Sequence, residues 1–474
     1  MQVNSRYWTP RHENDMTSST SCRLCVLCVL CVSALATGCA IGPNYSKPDA
    51  EVPAQFKEAG GDWVLAKPAD AVPKGKWWEV FEDPVLNALE GEVQVSNQDL
   101  RAAEARYREA RAAVQAARSQ FFPTIGASAG ATRSRNTPDR YQVSLDANWE
   151  LDLWGRIRRL TEAASAGEQA SAADLENAKL SLQAQLATTY FQLRVTDAAQ
   201  SLLDDTITAF QRSYQVTQNR YNAGVAARVD VVQSETQLLG AQANAIDLRV
   251  SRAQLEHAIA VLTGKPPANL TVEKIPFKAH IPEIPPGLPS TLLERRPDVA
   301  AAERRMAQAN ARIGVAQAAY FPALTLSGSG GFASASLATL FDPASRFWSL
   351  GANLAGTLLD FGGRAAAVDT ARAQYDESVA TYRQAVLVAF QEVEDNLAAS
   401  RWYAEETKVQ EDATRAARES VLLTGNQYRA GTVSLLNLIV VQAAQLNAER
   451  DMMTLLGRRL TAQVALIRAI GGSW

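Results

Sequence analysis

Residues 141–153 of this chain read YQVSLDANWELDL. Apolar and polar residues alternate along this stretch without a break, and one side carries only Tyr141, Val143, Leu145, Ala147, Trp149, Leu151 and Leu153. Strict alternation is typical of a strand with two different faces. Because a tilted strand crosses a bilayer in about 9–11 residues, this segment is predicted to be a membrane-spanning β-strand.

A very long helix is predicted directly after this strand. Residues 156–222 contain no proline, and at about 1.5 Å per residue such a helix reaches about 100 Å. A second proline-free stretch covers residues 364–429 and is interrupted only by Gly425. Four shorter helices are predicted at 97–119, 229–262, 298–318 and 435–470. The first and third of them make up most of the missing length if they stack end to end with the returning helices.

The bulky apolar residues of the two long helices follow coiled-coil spacing. They are Leu175, Leu182, Leu186 and Leu193 in one helix and Val386, Phe390, Val393 and Leu397 in the other. An ordinary helical bundle would show the same periodicity, but it would not explain the alternating strands.

The chain is an internal duplication. Phe122-Pro123 and Phe321-Pro322 end matching helices and begin matching strands at an offset of 199 positions. Asp152-Leu153-Trp154-Gly155-Arg156 corresponds to Asp360-Phe361-Gly362-Gly363-Arg364, and Tyr221-Asn222-Ala223-Gly224 corresponds to Tyr428-Arg429-Ala430-Gly431. Each copy therefore reads helix, strand, strand, long helix, turn, helix.

The N-terminus has the features of an export signal. An apolar run at 24–35 follows Arg23 and precedes Gly38-Cys39, so residues 1–38 are predicted to be a cleaved signal peptide that starts at Met1 or Met16. The cysteines at 22, 25, 28 and 31 have metal-site spacing, but they lie inside the segment that is predicted to be cleaved. Cleavage leaves one cysteine, Cys39, so the mature chain is predicted to have no internal disulfide.

The net charge and the number of strands indicate which partners the chain has. With 20% charged residues and a net charge of −3 among 474 residues, the composition does not indicate a nucleic-acid partner. Four strands leave two open edges, which are too unfavourable in lipid, and closed membrane barrels begin at about eight strands. Several chains are therefore predicted to share one barrel.

The chain resembles the TolC-like outer-membrane efflux proteins, specifically their NodT-like lipoprotein branch, over essentially all of its mature length. The resemblance rests on an ordered series of motifs: Cys39 with Gly42-Pro43-Asn44-Tyr45, Trp77-Trp78, Asp83-Pro84, Asn97 with Asp99-Leu100, Arg295-Arg296-Pro297-Asp298, the two Phe-Pro strand starts, and the terminal Ala469-Ile470-Gly471-Gly472-Ser473-Trp474. Gly38-Cys39 resembles a bacterial lipobox, so Cys39 is expected to carry a covalent lipid.

The resemblance implies an α+β membrane protein in which three chains share a twelve-stranded β-barrel and a periplasmic α-barrel of coiled-coil helices. The expected divisions are a signal peptide (1–38), an N-terminal segment (39–95), a first repeat (96–263), a linker (264–296) and a second repeat (297–474). The function implied is the passive outer-membrane channel of a tripartite efflux system for small molecules, lipid-anchored in a Gram-negative bacterium. Its partners would be two further copies, a periplasmic adaptor, an inner-membrane pump and outer-membrane lipid.

The resemblance also suggests two groups of site residues. The hairpin tips Ala223, Gly224, Val225, Ala430, Gly431 and Thr432 are expected to contact the adaptor, although glycine at a helix end needs no partner to explain it. The periplasmic gate is expected at Val433, Asn437, Val440, Arg228 and Asp230. Because the second tip lacks aspartates there, a hydrophobic constriction is expected to replace an acidic ring.

Other functions explain the sequence to different degrees. An exit duct for protein secretion would be lined in the same way, and a structural trimeric coiled-coil surface lipoprotein would need no alternating strands. Asp360-Phe361-Gly362 resembles a kinase motif without its partner motifs, and the three histidines have no metal spacing, so no enzyme, cofactor or metal site is predicted.

The Gly/Ser-rich residues 327–336, with Phe332 and Phe341, are expected to form an outer loop and its strand ends.

Overall fold

A computed structural model describes residues 40–48, 52–53, 56–58, 75–277, 279–282, 284 and 295–472. The predicted signal peptide, Cys39 and part of the predicted linker lie outside these residues. The helices, in chain order, are α1 (Pro84–Ser96), α2 (Gln98–Ser119), α3 (Arg156–Asn222), α4 (Arg228–Leu262), α5 (Pro297–Ala318), α6 (Gly363–Arg429) and α7 (Leu435–Ala469). The strands are β1 (Thr124–Ser134), β2 (Thr137–Leu151), β3 (Ala323–Ser334) and β4 (Arg346–Ala355).

The predicted order of elements is confirmed in both copies. Helices α3 and α6 each have 67 residues, and the returning helices α4 and α7 each have 35. Coiled-coil positions such as Leu186, Leu193, Val386 and Val393 are buried. The sequence thus contains two matching sets of elements, and the structure repeats them with equal helix lengths.

The four strands form one antiparallel sheet in the order β1-β2-β3-β4. Strands β1 and β2 are joined by the two-residue turn Arg135-Asn136, where Asn136 adopts a left-handed φ of 75°. The junction between the two copies is the pairing of β2 with β3, in which Leu151 lies opposite Leu324. Strands β1 and β4 therefore form the two outer edges of the sheet.

The expectation that residues 327–336 form an outer loop and its strand ends places the start of the loop too early, because β3 runs as far as Ser334. A Cβ atom on Gly331 would lie 2.0 Å from the carbonyl oxygen of Val143 on the neighbouring strand. Glycine here permits a close backbone approach rather than marking a turn. The connection proper covers residues 335–345, where the ring of Phe341 contacts that of Phe332 at 5.5 Å.

The chain divides into two compact units. The first contains the sheet, within Ala112–Ser165 and Ala307–Asp376, together with residues 40–46. The second contains the rest of the helices, and its core includes Trp78, Leu86, Tyr190 and Ile467. Helix α1 begins at this core with Pro84 in its first turn, and the Asp83 carboxylate accepts hydrogen bonds from the amides of Val85 and Leu86.

Within the second unit, the predicted end-to-end stacking of helices is confirmed in both copies. The buried Asn97, just before α2, donates from Nδ2 to the carbonyl of Leu262 at the end of α4 at 2.8 Å. In the second copy, Arg296 lies just before α5 and donates from Nη1 to the carbonyl of Ala469 at the end of α7 at 3.0 Å. Each returning helix is thereby continued by the short helix of its own copy.

Across the described residues, none of the helices is both long enough and apolar enough to cross a bilayer.

Candidate functional site

The sheet has one apolar face that the single chain leaves uncovered. The exposed large side chains on this face belong to β1, β2 and β4 and include Ile125, Leu145, Trp149, Trp348, Leu350 and Leu354. Trp348 and Leu350 are 78% and 81% exposed. Because soluble proteins rarely expose so continuous an apolar surface, this face needs an apolar partner.

The opposite face is polar and internally hydrogen-bonded. The hydroxyls of Ser128 and Ser144 lie 2.8 Å apart on neighbouring strands, and both donate to the carboxylate of Asp146 at 3.0 Å. The Ser329 and Ser349 hydroxyls form a similar pair at 2.8 Å. The alternation read in the sequence therefore separates an apolar face from a polar one.

Residues 40–44 are fixed to the first unit beside the end of β2. The amide of Ile41 donates to the carbonyl of Trp154 at 3.1 Å. The buried Arg159 guanidinium donates to the carbonyls of Ile41 and Gly42 and to Oδ1 of Asn44, at 2.9–3.2 Å. The sequence motif Gly42-Pro43-Asn44 pointed to this segment, but nothing in the sequence identified Arg159 as its partner.

The two hairpin tips have the same backbone geometry. At the first tip the amide of Gly224 donates to the Tyr221 carbonyl at 2.8 Å and that of Val225 to the Arg220 carbonyl at 2.9 Å. At the second tip, Gly431 and Thr432 make the equivalent bonds to Tyr428 and Gln427, each at 3.0 Å. Gly224 and Gly431 adopt φ values of 77° and 76°. This is the Schellman arrangement that ends a helix with glycine.

Both tip tyrosines lie under arginine side chains. The guanidinium of Arg220 lies 5.2 Å from the ring centre of Tyr428, so the two tips contact each other, and that of Arg228 lies 5.8 Å from the ring centre of Tyr221. These distances are typical of cation–π contacts. The predicted tip residues Ala223, Gly224, Val225, Ala430, Gly431 and Thr432 are exposed around these tyrosines.

The predicted gate residues are distributed over both returning helices. Asp230 accepts a hydrogen bond from the amide of Ala227 at 3.2 Å and so caps the start of α4 within its own chain. On α7 and just before it, Val433 is half-buried, while Asn437 and Val440 are exposed. In the single chain these residues form no closed constriction, and their role as a gate stays a prediction.

An apolar groove lies next to the tips, between the first turns of α4 and α7. Its volume is about 390 Å³, and its lining includes Val229, Val232, Leu436, Ile439 and Ala443. Val232 and Leu436 are 44% and 53% exposed. The sequence prediction missed this groove. The signal for it was a pair of apolar positions three apart at the start of each returning helix.

No cluster of metal-ligating side chains occurs among the residues that the structure describes. An exposed apolar sheet face, two free sheet edges and paired helical hairpins define the channel-forming class of outer-membrane proteins.

The family model described as "Outer membrane efflux protein" matches residues 89–265 and 288–472, and the chain belongs to this family. It is 31% identical over 451 residues to the probable efflux pump outer membrane protein TtgC of Pseudomonas putida, covering 92% of this chain and 93% of that one. Among solved structures, the outer-membrane channel OprN has a TM-score of 0.83 and 33% identity, covering 92% of this chain and 100% of OprN. The open state of the MtrE outer membrane channel of Neisseria gonorrhoeae has a TM-score of 0.79 and 30% identity, covering 91% of this chain and 98% of MtrE.

These findings confirm the predicted family and the predicted α+β fold class. They also confirm the predicted function, an outer-membrane channel of an efflux system. The family is a transport family, and its site is the outer membrane.

Proposed function

We propose that three copies of this chain form a passive, water-filled conduit through the outer membrane, each contributing four strands to a twelve-stranded barrel. The observation that carries this proposal is the four-stranded sheet with free edges at β1 and β4 and one exposed apolar face. In lipid, unpaired strand edges leave backbone groups without hydrogen bonds, and closure with further copies removes every edge. The long helices of the three chains form the periplasmic α-barrel.

The polar face of the sheet suits the inside of this conduit. The hydroxyl and carboxylate groups of Ser128, Ser144 and Asp146 already bond one another, and they offer further hydrogen bonds to water. The apolar face, with Trp348 and Leu350, turns to lipid. The channel itself supplies no energy. It carries small molecules delivered by an inner-membrane pump, as the efflux names of its relatives suggest.

The tips and the groove between α4 and α7 form the docking surface for a periplasmic adaptor. The groove is apolar and open, and it lies beside the exposed Gly224 and Gly431 turns. Helical hairpins of a partner bind such grooves through apolar side chains at helical spacing. Val433, Asn437 and Val440 close the conduit at this end until the adaptor binds, and Arg228 and Asp230 flank them.

A lipid on Cys39 anchors the chain to the outer membrane. Ala40 follows Cys39 directly, and a Cβ atom on Gly155 would lie 2.7 Å from its Cα atom. Gly155 lies just past the end of β2, so the segment that follows the lipidated cysteine begins beside the rim of the barrel. The hydrogen bonds of Arg159 to residues 41–44 hold the segment there.

The first test is the mass of the purified mature protein in detergent together with single-channel recording in planar bilayers. We expect a trimer with small, mostly closed conductances. A monomer without conductance would overturn the shared barrel.

The adaptor site is tested in an efflux-deficient strain by the groove variants Val232→Asp and Leu436→Asp. We expect both to lose resistance to toxic small molecules and to lose adaptor cross-linking, while mass and conductance stay unchanged. The matched control is Val250→Asp, which alters an equally exposed valine (53%) further along α4. Equal loss of resistance in the control would contradict the groove as the docking site.

A further inference from the structure

The strand pairing within one chain predicts how its edge strands β1 and β4 pair with those of neighbouring copies. This inference rests on the proposed shared barrel. Because the chain is a duplication, one of its strand junctions already joins the end of one copy to the start of the next. That junction is the pairing of β2 with β3, and it serves as a template for the pairing of β4 with β1 of a second chain.

The equivalence of the strands follows from the pairings within each copy. The first pair of the β1–β2 ladder is Thr124 with Asn148, and the first pair of the β3–β4 ladder is Ala323 with Ala355. Thr124 and Ala323 directly follow the two Phe-Pro dipeptides, so they are equivalent positions. Asn148 is then equivalent to Ala355. Residues of β2 correspond to residues of β4 at a fixed offset set by this pair.

Applying the β2–β3 pairing to β4 and to β1 of a second chain gives the register between them. In the β2–β3 junction Ala147 lies opposite Gly328. Their equivalents are Leu354 in β4 and Ala129 in β1. We propose that β4 of one chain pairs antiparallel with β1 of a second copy of this chain with Leu354 opposite Ala129.

The faces of the two strands support this register independently. Leu354 belongs to the exposed apolar set of β4, and Ala129 belongs to the apolar set of β1 that begins with Ile125. A shift of one residue would oppose Leu354 to Ser128 or Gly130, which lie on the polar side. Such a slip moves every side chain of a strand to the other face, so only shifts by two residues remain as alternatives.

The end of the sheet gives a further match. At the β2–β3 junction the Trp154 ring, just past β2, stacks on Phe321 with ring centres 4.9 Å apart, and its indole N–H donates to the Pro322 carbonyl at 2.8 Å. In the structure the left-handed Gly155 and Gly362 each directly precede a long helix and are equivalent, which shifts the match made from the sequence by one residue and makes Phe361 the counterpart of Trp154. The aromatic residues at the seam between chains are therefore Phe361, which follows β4, and Phe122 of the second copy. They are 91% and 70% exposed in the single chain. The seam would cover both.

Disulfide trapping tests the register in the full-length chain purified from membranes. Directly opposite residues of antiparallel strands have Cα atoms about 4.5–5.5 Å apart, which suits a disulfide, whereas a shift by two residues exceeds the limit of about 7 Å. We expect Leu354→Cys with Ala129→Cys to give covalent oligomers on mild oxidation. The matched controls pair Leu354→Cys with Ala127→Cys or with Ala131→Cys. Each variant with a single new cysteine shows whether Cys39 itself contributes to cross-linking.

The outcomes separate this inference from the proposed function. Cross-linking of a shifted pair instead of Leu354 with Ala129 overturns the register and leaves the shared barrel intact. A trimer by mass in which none of the pairs cross-links, although the thiols are labelled after denaturation, also overturns the seam. A monomer by mass overturns the shared barrel itself.

A second variant tests the seam without cysteines. Phe361→Ser is expected to make the trimer dissociate at a lower temperature in detergent, because its ring loses the contact with Phe122 of the next chain. Leu337→Ser is the matched control, since Leu337 is 65% exposed in the 335–345 connection at the other end of the sheet. Equal dissociation temperatures for the two variants would contradict the contact.

Discussion

At the two junctions between stacked helices, different side chains donate a hydrogen bond to the last carbonyl of the returning helix. In the first copy the neutral amide of Asn97 binds the last carbonyl of α4, and its Oδ1 accepts from the Leu100 amide at 2.9 Å. In the second copy the charged Arg296 binds the last carbonyl of α7. Both returning helices end in a left-handed glycine, Gly264 with φ 70° and Gly471 with φ 91°. The duplication preserved the backbone geometry and exchanged the side chain that satisfies it.

The charged junction depends on more partners than the neutral one. Arg296 also pairs with Asp298 at 2.6 Å and Glu392 at 2.7 Å, and Glu392 binds Arg468 at 3.1 Å. Burial alone would lower the pKa of Arg296, but its hydrogen bonds to Asp298 and Glu392 raise it above its ordinary value. A buried ion pair is sensitive to the loss of either partner. We therefore expect the second junction to be the more easily disrupted of the two.

Arg296→Ala should have the largest effect on this comparison. It leaves the Asp298 and Glu392 carboxylates without their shared cation and the Ala469 carbonyl without its donor. We expect a loss of about 3–5 kcal/mol in the free energy of unfolding, measured by chemical denaturation in detergent. Arg468→Ala, at a side chain that is 43% exposed, is the control. An equal loss in the control would show that the two arginines are equivalent.

Glu90→Gln tests whether the buried Glu90 carboxyl, on the helix that precedes the first junction, is neutral in the folded chain. Glu90 lies on α1, is fully buried, and has no hydrogen-bond partner for either carboxylate oxygen among the described residues. Burial raises its pKa to about 9. Between pH 4.5 and that value the unfolded chain loses a proton that the folded chain keeps, so stability falls as pH rises.

We therefore expect Glu90→Gln to raise the free energy of unfolding by about 3 kcal/mol at pH 7, an upper value from about 1.4 kcal/mol per unit of pKa. The gain should grow from pH 5 to pH 8.5. Denaturation curves at both values check this. Glu92→Gln is the control, because Glu92 forms a surface ion pair with Lys265 at 2.7 Å. A gain that does not change with pH would contradict a neutral buried carboxyl.

Alanine at the left-handed glycines should separate the junctions from the tips. A Cβ atom on Gly264 would lie 2.2 Å from the carbonyl oxygen of Ser96, and one on Gly471 would lie 3.0 Å from that of Arg295. At Gly224 the space is open. Gly224→Ala should cost about 1–2 kcal/mol for its backbone alone, Gly471→Ala more, and Gly264→Ala most. Thermal unfolding of the three variants gives the order, and a larger loss at Gly224 would refute it.

Asn97→Ala should weaken the neutral junction less than Arg296→Ala weakens the charged one. The change removes a helix cap and a buried hydrogen bond to Leu262, which together contribute about 1–2 kcal/mol. Asn97→Asp keeps the cap but cannot donate to the carbonyl, so it isolates the second contribution. Denaturation midpoints of the two variants check this. Identical midpoints for Asn97→Asp and the parent chain would show that the bond to Leu262 contributes nothing.

Acid should affect only the charged junction, and this is the smallest effect. Burial alone would raise the pKa of Asp298, but the hydrogen bonds and charge of Arg296 outweigh it and lower the pKa below its usual value of 3.8. The stabilisation is therefore present above that pH and is lost as pH falls below it. We expect hydrogen exchange, compared between pH 6 and pH 3.5 after correction for intrinsic rates, to speed up at the Gly472 amide but not at Lys265. Parallel changes at both amides would contradict this.

Several features of the fold were predictable because they depend on local periodicity. The bounds of α3 match the predicted 156–222, since a proline-free run between Gly155 and the Gly224 turn leaves little choice of ends. The tip glycines were predictable for the same reason. The course of β3 through 327–334 was not, because the need for Gly331 arises from the Val143 carbonyl on another strand.

The duplication, the order of elements, the two-faced strands and the family could all be predicted from the sequence, because each depends on the spacing of residues along the chain. The contacts between residues far apart in the sequence became known only from the folded structure. Examples are the hydrogen bonds of Arg159 to residues 41–44, the bond of Arg296 to the end of α7, and the burial of Glu90 without a hydrogen-bond partner among the described residues. Periodicity records which face of an element is buried. The identity of the atom on the other side is fixed only when distant segments pack together.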